Sequence, residues 1–168
     1  DKVGKLLNLE YPGGPKVSKL AEDGDPTRFN FPRALMKDRK LNFSFSGLKT
    51  AVLYALDDLE EKDYPDVATS FQEAVIDVLI KKLAYAIEQT GIKKLVCSGG
   101  VAANRLLRER LTDMGKTSEL EVSYPKMEFC TDNAAMIAHA GFIRKKYNLK
   151  EYPTKYARPR WPLGELYD

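Results

Sequence analysis

From Leu95 to Arg105 the chain reads Leu-Val-Cys-Ser-Gly-Gly-Val-Ala-Ala-Asn-Arg, an apolar run that stops at two glycines and passes at once into helix-forming residues. A buried strand that turns sharply into a helix leaves backbone N–H groups without partners at the helix start. Together with the helix dipole, those groups form an anion site. Glycine suits such a turn because a backbone without a Cβ lets a phosphate come close. The pattern therefore predicts a phosphate turn at Gly99 and Gly100. Asn104 stands where its amide reaches a nucleotide or another phosphorylated ligand. A tight strand-to-helix connection with no ligand has the same pattern, since a glycine pair alone is a weak signal, and both readings stay open.

The segments around the turn read as alternating layers. Residues 92–98 predict a strand, residues 102–114 a helix, residues 120–124 a second strand and residues 125–130 a loop. Thr131 reads as the N-cap of a helix running to Tyr147, which places Asp132 in its first turn. Upstream, a helix starting at Asp66 or Thr69 runs to Thr90, with Val67, Phe71, Ala74, Val78 and Leu83 on its apolar face and Gly91 as its stop. Residues 1–8 read as the end of a helix with Val3, Leu6 and Leu7 on one face. Tyr11-Pro12-Gly13-Gly14-Pro15 reads as a rigid turn, residues 17–22 as a short helix and residues 23–38 as loop. Residues 42–46, Asn-Phe-Ser-Phe-Ser, alternate at the strand period. Gly47 ends that run, residues 48–59 read as a helix, and residues 57–66 form a charged connection. Residues 150–168 form a basic, proline-containing tail. Helix and strand alternating in the second half argue for an α/β fold.

Length and charge narrow the function classes. A chain of 168 residues suits one domain. No apolar run approaches the ~20 residues of a membrane span, and a signal peptide is not expected. The expected location is the cytoplasm, with no membrane partner. The net charge of +3 permits nucleic-acid binding without arguing for it. The two cysteines, Cys97 and Cys130, lie far apart and form no CxxC pair, so a disulfide scaffold is not expected and a reducing setting is. The chain opens Asp1-Lys2-Val3 in what reads as the middle of a helix, so a fragment or processed product is expected.

Three further constellations carry possible chemistry, each beside a plainer reading. Asp132 is a carboxylate that could bind a metal or a ligand, or simply complement a helix dipole. Residues 43–50, Phe-Ser-Phe-Ser-Gly-Leu-Lys-Thr, could grip a phosphate or an RNA backbone, or place phenylalanines in the core and serines in water. In the tail, Lys155, Tyr156, Arg158, Arg160 and Trp161 interleave cations with aromatics as a nucleic-acid contact does, or else pack on their own domain. His139 is the sole histidine, so no histidine-pair metal site can form within the chain.

Taken together, five stretches resemble the TsaD family, the tRNA N6-adenosine threonylcarbamoyltransferases once named O-sialoglycoprotein endopeptidases. They are Asp1-Lys2 with Tyr11-Pro12-Gly13-Gly14-Pro15, the segment from Phe43 to Thr50, the segment from Ser98 to Asn104, Cys130-Thr131-Asp132-Asn133-Ala134-Ala135-Met136-Ile137-Ala138, and Arg158-Pro159-Arg160-Trp161-Pro162-Leu163. The resemblance implies an actin-like ATPase (ASKHA) fold, in which two related α/β domains close on a nucleotide cleft. This chain, residues 1–168, would be a single C-terminal portion with a mixed sheet flanked by helices. The family's N-terminal half carries a histidine pair for iron or zinc and a glycine-rich phosphate hairpin, and neither occurs here.

By the resemblance, Asp1 binds the ribose of threonylcarbamoyl-AMP, Gly14 makes a backbone contact to that substrate, and Asn104 makes an amide contact. Asp132 is the one ligand this half gives to a divalent metal ion, iron or zinc. The implied acyltransferase reaction moves threonylcarbamoyl to the exocyclic amine of the adenosine next to the tRNA anticodon. A metal could polarise the acyl group, the glycine turn could hold the leaving AMP phosphate, and no general base is assigned. Implied partners are tRNA, TsaB-like and TsaE-like proteins and the missing N-terminal half. A sheet edge left unpaired invites self-association, or disorder over residues 1–10. The chain alone is expected to be inactive. The alternatives are a non-catalytic assembly module of the same complex, or another actin-like carbamoyltransferase or kinase.

Overall fold

The computed structural model describes residues 1–149 and 159–160. The chain divides into two compact units, residues 1–131 and residues 132–168. Most of the tail, with Lys155, Tyr156, Arg158 and Trp161, lies outside the described residues.

The first unit is organised along one helix. Helix α4, Tyr64–Thr90, has 27 residues and is about 40 Å long at 1.5 Å per residue. Pro65 sits in its first turn, where a missing N–H costs nothing, so the helix begins upstream of the predicted start at Asp66 or Thr69. Gly91 ends it in the left-handed conformation at φ 66°.

The first half of α4 packs against α2 (Gly13–Leu20) and α3 (Leu48–Leu56), and α1 (Lys2–Leu6) packs in turn on α2 and α3. Val3, Leu7, Val17, Phe31, Leu48, Val52 and Val67 form the core there. Val52 and Val67 are wholly buried, each contributing about 1.5–3 kcal/mol by removal from water. Helix α2 starts four residues before the predicted Val17, because Pro15 falls in its first turn rather than in a preceding loop.

The second half of α4 packs against a strand–helix–strand unit formed by β1 (Lys94–Val96), α5 (Arg105–Ser118) and β2 (Glu121–Ser123). Ile76, Leu107 and Leu111 form its core, with Leu79, Leu83, Leu95 and Val122 packed on them. The strands are parallel, with Lys94 opposite Glu121, Leu95 opposite Val122 and Val96 opposite Ser123. Parallel strands need a crossover connection, and α5 supplies it. Among the described residues the sheet holds only these strands. The α/β reading therefore stands, and the expected mixed sheet is corrected to a small parallel one. No helix among the described residues is long and apolar enough to cross a membrane.

Two predicted elements differ. Residues 42–46 form no strand, because no neighbouring chain offers them a ladder. Phe43 and Phe45 are exposed rather than in the core, and the Ser46 N–H turns back onto Ser44 Oγ at 3.1 Å. In the second unit, helix α6 (Ala134–Lys146) is capped by Asn133, whose side chain accepts the Met136 N–H at 2.9 Å. Thr131 is therefore not the cap, and Asp132 precedes the helix rather than lying in its first turn. Residues 1–10 are not disordered: Lys2–Leu6 is helical, with Val3 and Leu7 buried.

Candidate functional site

The glycine turn stands at the C-terminal end of β1, the end of a parallel sheet where α/β folds place their ligands. After Val96, the Cys97 N–H still bonds to the Ser123 carbonyl at 3.0 Å, extending the ladder by one residue. Gly99 then takes φ 91°, a conformation that L side chains rarely adopt. A 3-10 turn follows over Gly100–Ala103, tied by the Ala102 N–H to the Gly99 carbonyl at 2.9 Å and the Asn104 N–H to the Val101 carbonyl at 3.0 Å. The N–H groups of Gly100 and Val101 open this turn and have no acceptor within it. A Cβ at Gly99 or Gly100 would meet nothing within 4 Å, so the space above the turn is open. The predicted helix start at Ala102 is thus a 3-10 turn, and α5 proper begins three residues later.

Asn104 is the joint between turn and helix. Its Oδ1 caps α5 by accepting the Leu107 N–H at 2.9 Å. Its Nδ2 donates to Gln72 Oε1 of α4 at 2.7 Å and, more weakly, to Ser18 Oγ of α2 at 3.4 Å. The amide is thus engaged within the chain, and the long bond to Ser18 is the one a ligand would displace most readily. Ser18 lies one helical turn beyond Gly14, so α2 brings Gly14 toward the same corner. Gly14 is exposed, with nothing within 4 Å of a Cβ built there.

Asp1 sits on the other side of the α2 N-terminus. Its Oδ1 accepts the Gly13 N–H at 2.8 Å. Helices α1 and α2 approach so closely that a Cβ at Gly4 would lie 2.9 Å from Gly13 Cα. The structure therefore groups Asp1 with Gly13 and Gly14, and Asn104 with Gly99 and Gly100, the two groups bridged through Ser18. Asp132 belongs to the second unit and is exposed. It does not by itself fit a metal ion, which takes four or more ligands. Among the described residues no group of three or more His, Cys, Asp or Glu side chains could hold one.

Gln72, Ser18 and Arg108 are missing from the sequence reading. Arg108 Nε donates to the Ala102 carbonyl at 2.5 Å, closing the back of the glycine turn. Its Nη2 donates to the Pro125 carbonyl at 3.0 Å and to Cys130 Sγ at 3.2 Å. The guanidinium lies 4.9 Å from the centre of the Tyr124 ring. One side chain thus ties the loop after β1 to the loop after β2. Burial raises the Cys97 thiol above its ordinary value, partly offset by Arg108 and reinforced by Cys130, so Cys97 stays a neutral thiol near pH 7. An arginine one turn into a crossover helix is the only sequence signal that could have pointed to this role, and it is a faint one.

A family model described as TsaD, tRNA N6-adenosine threonylcarbamoyltransferase, matches residues 1–139. The chain is 49% identical over 170 residues to a tRNA N6-adenosine threonylcarbamoyltransferase of Methylobacillus flagellatus, covering 99% of this chain and 50% of that protein. It is 46% identical over 173 residues to the protein of the same name from Herminiimonas arsenicoxydans, covering 99% of this chain and 51% of that protein. The chain spans about half the length of the curated relatives it matches.

Proposed function

The chain belongs to the TsaD family of tRNA N6-adenosine threonylcarbamoyltransferases, and from that premise we propose that it forms the C-terminal wall of an acyltransferase site for threonylcarbamoyl-AMP. The observation that carries the reading is the family match over residues 1–139, which takes in the Asp1 corner, the glycine turn and Asp132 together. The proposed fold is the actin-like ATPase fold, of which β1, α5 and β2 are one strand–helix–strand repeat.

In the proposed reaction the exocyclic amine of the tRNA adenosine attacks the threonylcarbamoyl carbonyl carbon, and AMP leaves with its phosphate. The N–H groups of Gly100 and Val101 bind that phosphate and stabilise the charge it gains on leaving. Asn104 keeps those groups in place by capping α5, and reaches the nucleotide through the donor now turned to Ser18. Asp1 keeps one carboxylate oxygen on the Gly13 N–H and offers the other to the ribose hydroxyls. Gly14 lets the substrate approach the α2 backbone. Asp132 is proposed as one ligand of a divalent iron or zinc ion whose other ligands lie outside this chain. The proposed partners are tRNA, the N-terminal half, TsaB-like and TsaE-like proteins and, through the sheet edge, a second copy of this chain. The proposed location is the cytoplasm.

Titration calorimetry of AMP into the 168-residue chain tests the nucleotide site, and absence of binding refutes it. The chain alone, given tRNA and threonylcarbamoyl-AMP, is expected to transfer nothing. Turnover under those conditions would refute the view that the site is shared with another half.

A further inference from the structure

We propose that residues 37–49 form a contact surface for single-stranded RNA, with Phe43 and Phe45 as a stacking platform and Lys37, Lys40 and Lys49 as phosphate contacts. The inference rests on the tRNA-modifying reading above and gives that substrate a surface on this chain. Phe43 is 54% exposed and Phe45 40% exposed. Their ring centroids lie 5.7 Å apart at an interplanar angle of 55°. Two phenylalanines side by side in water are costly to solubility, and a base π-face is a ligand that covers them.

The side-chain charges of the segment are mostly positive, Lys37, Arg39, Lys40 and Lys49 against Asp38. Lys37, Lys40 and Lys49 are exposed, and among the described residues none is paired with a carboxylate. Arg39 is matched, 2.6 Å from Glu88 and 5.1 Å from the centre of the Tyr85 ring. Asp38 is half-buried and is engaged by its own loop, its Oδ1 accepting the Lys40 N–H at 2.9 Å. The segment therefore presents unmatched ammonium groups beside aromatic faces, the combination that tracks a single strand.

The segment is also held rigid, which explains an otherwise puzzling buried cation. Lys82 of α4 is 4% exposed, and a buried ammonium without a carboxylate is expensive. Its Nζ donates to the carbonyls of Asp38 and Lys40, the latter at 2.8 Å. Two turns further along the same face of α4, Gln89 Nε2 donates to the Arg39 carbonyl at 2.7 Å. Three successive carbonyls are thus fixed by two side chains of one helix. Arg33 adds a further tie to Asp77 at 2.7 Å. The stretch that carries Lys37 and Lys40 is thus ordered before binding, and ordering already in place need not be supplied by the ligand.

The experiment is fluorescence anisotropy of the whole chain with a labelled anticodon stem-loop RNA, across a salt series. Phe43→Ala and Phe45→Ala are each expected to weaken binding about 5- to 150-fold, and Phe→Tyr at either position to restore it. Lys37→Ala, Lys40→Ala and Lys49→Ala should each lower the slope of log affinity against log salt by about 0.7. AMP binding should be unchanged in all of them. No RNA binding by the unaltered chain, or RNA affinity unmoved by the phenylalanine variants, overturns the proposal. Unmoved RNA affinity accompanied by lost self-association in light scattering also overturns it, assigning the patch to a protein contact. Because AMP binding is read separately, the surface can fail while the nucleotide reading stands, and the reverse.

Discussion

Asn104 has a structural role in the site described above and a ligand role under the proposed function, and two substitutions separate them. Its Oδ1 caps α5 through the Leu107 N–H at 2.9 Å, and its Nδ2 donates to Gln72 at 2.7 Å. Asn104→Ala removes both. Loss of an N-cap costs about 0.5–2 kcal/mol, and loss of a partly buried hydrogen bond adds about 0.5–1.5 kcal/mol. The sum of about 1–3.5 kcal/mol corresponds to a melting temperature lower by about 2–14 °C for a chain of this size. Asn104→Asp behaves differently. Aspartate caps a helix as well as asparagine does, the α5 dipole favours its charge by about 0.3–1 kcal/mol, and the Gln72 amide can turn its NH2 toward the new carboxylate. Stability should stay close to that of the unaltered chain.

Ligand binding should not survive the same change. A carboxylate about 4 Å from a phosphate repels it by about 1 kcal/mol in water and about 4 kcal/mol in a partly shielded site, so AMP affinity should fall about 5- to 1,000-fold. Urea unfolding reads the first effect and titration calorimetry the second. An Asn104→Ala chain as stable as its parent would refute the capping argument. An Asn104→Asp chain that binds AMP as tightly as its parent would remove the phosphate from the glycine turn.

Three other perturbations test the scaffold. Arg108→Met should cost about 2–5 kcal/mol in urea unfolding, because hydrogen bonds from a charged group are worth about 1.5–3 kcal/mol each. Arg108→Lys should recover less than half of that loss, since an ammonium lacks the fork that spans two loops; full recovery would count against the two-loop tie. Gly24→Ala would put a Cβ 2.2 Å from the Pro65 carbonyl oxygen and 2.3 Å from Thr69 Oγ1, an overpacking worth about 1–3 kcal/mol. Gly14→Ala, where the Cβ meets nothing within 4 Å, should cost nothing in the same assay, and equal losses at both positions would defeat the steric argument. Arg28 lies 2.7 Å from both Asp63 and Asp66, and its hydrogen bonds hold both carboxyl groups below their ordinary value of 3.8. Because the folded values are the lower ones, this stabilisation is whole above the ordinary aspartate range and is lost as pH falls through it toward the folded values. The urea midpoint should therefore drop on acidification, and Arg28→Gln should flatten that drop; an unchanged slope would refute the assignment.

What was legible in the sequence follows from how far apart the interacting groups lie. The strand, the glycine turn and the crossover helix at residues 94–118 were readable because a strand period, a positive φ and a helix period are all settled within a few residues of one another. The cap at Asn104 is missed although it too is local, its Oδ1 accepting an N–H three residues on, because the pattern starts the helix at Ala102 and gives the amide to a ligand contact. Its partners Gln72 and Ser18 lie 32 and 86 residues away, and nothing in the local pattern marks them. The alternation at residues 42–46 misleads for a related reason. Period two fixes which side chains share a face, but only a neighbouring strand turns that face into a sheet, and here the Ser46 N–H turns back onto Ser44 Oγ instead.

The two local patterns that proved ambiguous are the ones to which the proposals above assign function. At Gly99 an open backbone turn keeps its N–H groups toward solvent, and at Phe43 and Phe45 apolar rings stay exposed. A chain selected for stability alone would cover both. Helix side chains fix the backbone beside each: Arg108 bonds to the Ala102 carbonyl behind the turn, and Lys82 bonds to the carbonyls of Asp38 and Lys40 ahead of the phenylalanines. Polar side chains of α4 and α5 that serve loops rather than the core connect the two surfaces. On the proposed reading, this unit presents backbone donors at one place and aromatic faces at another.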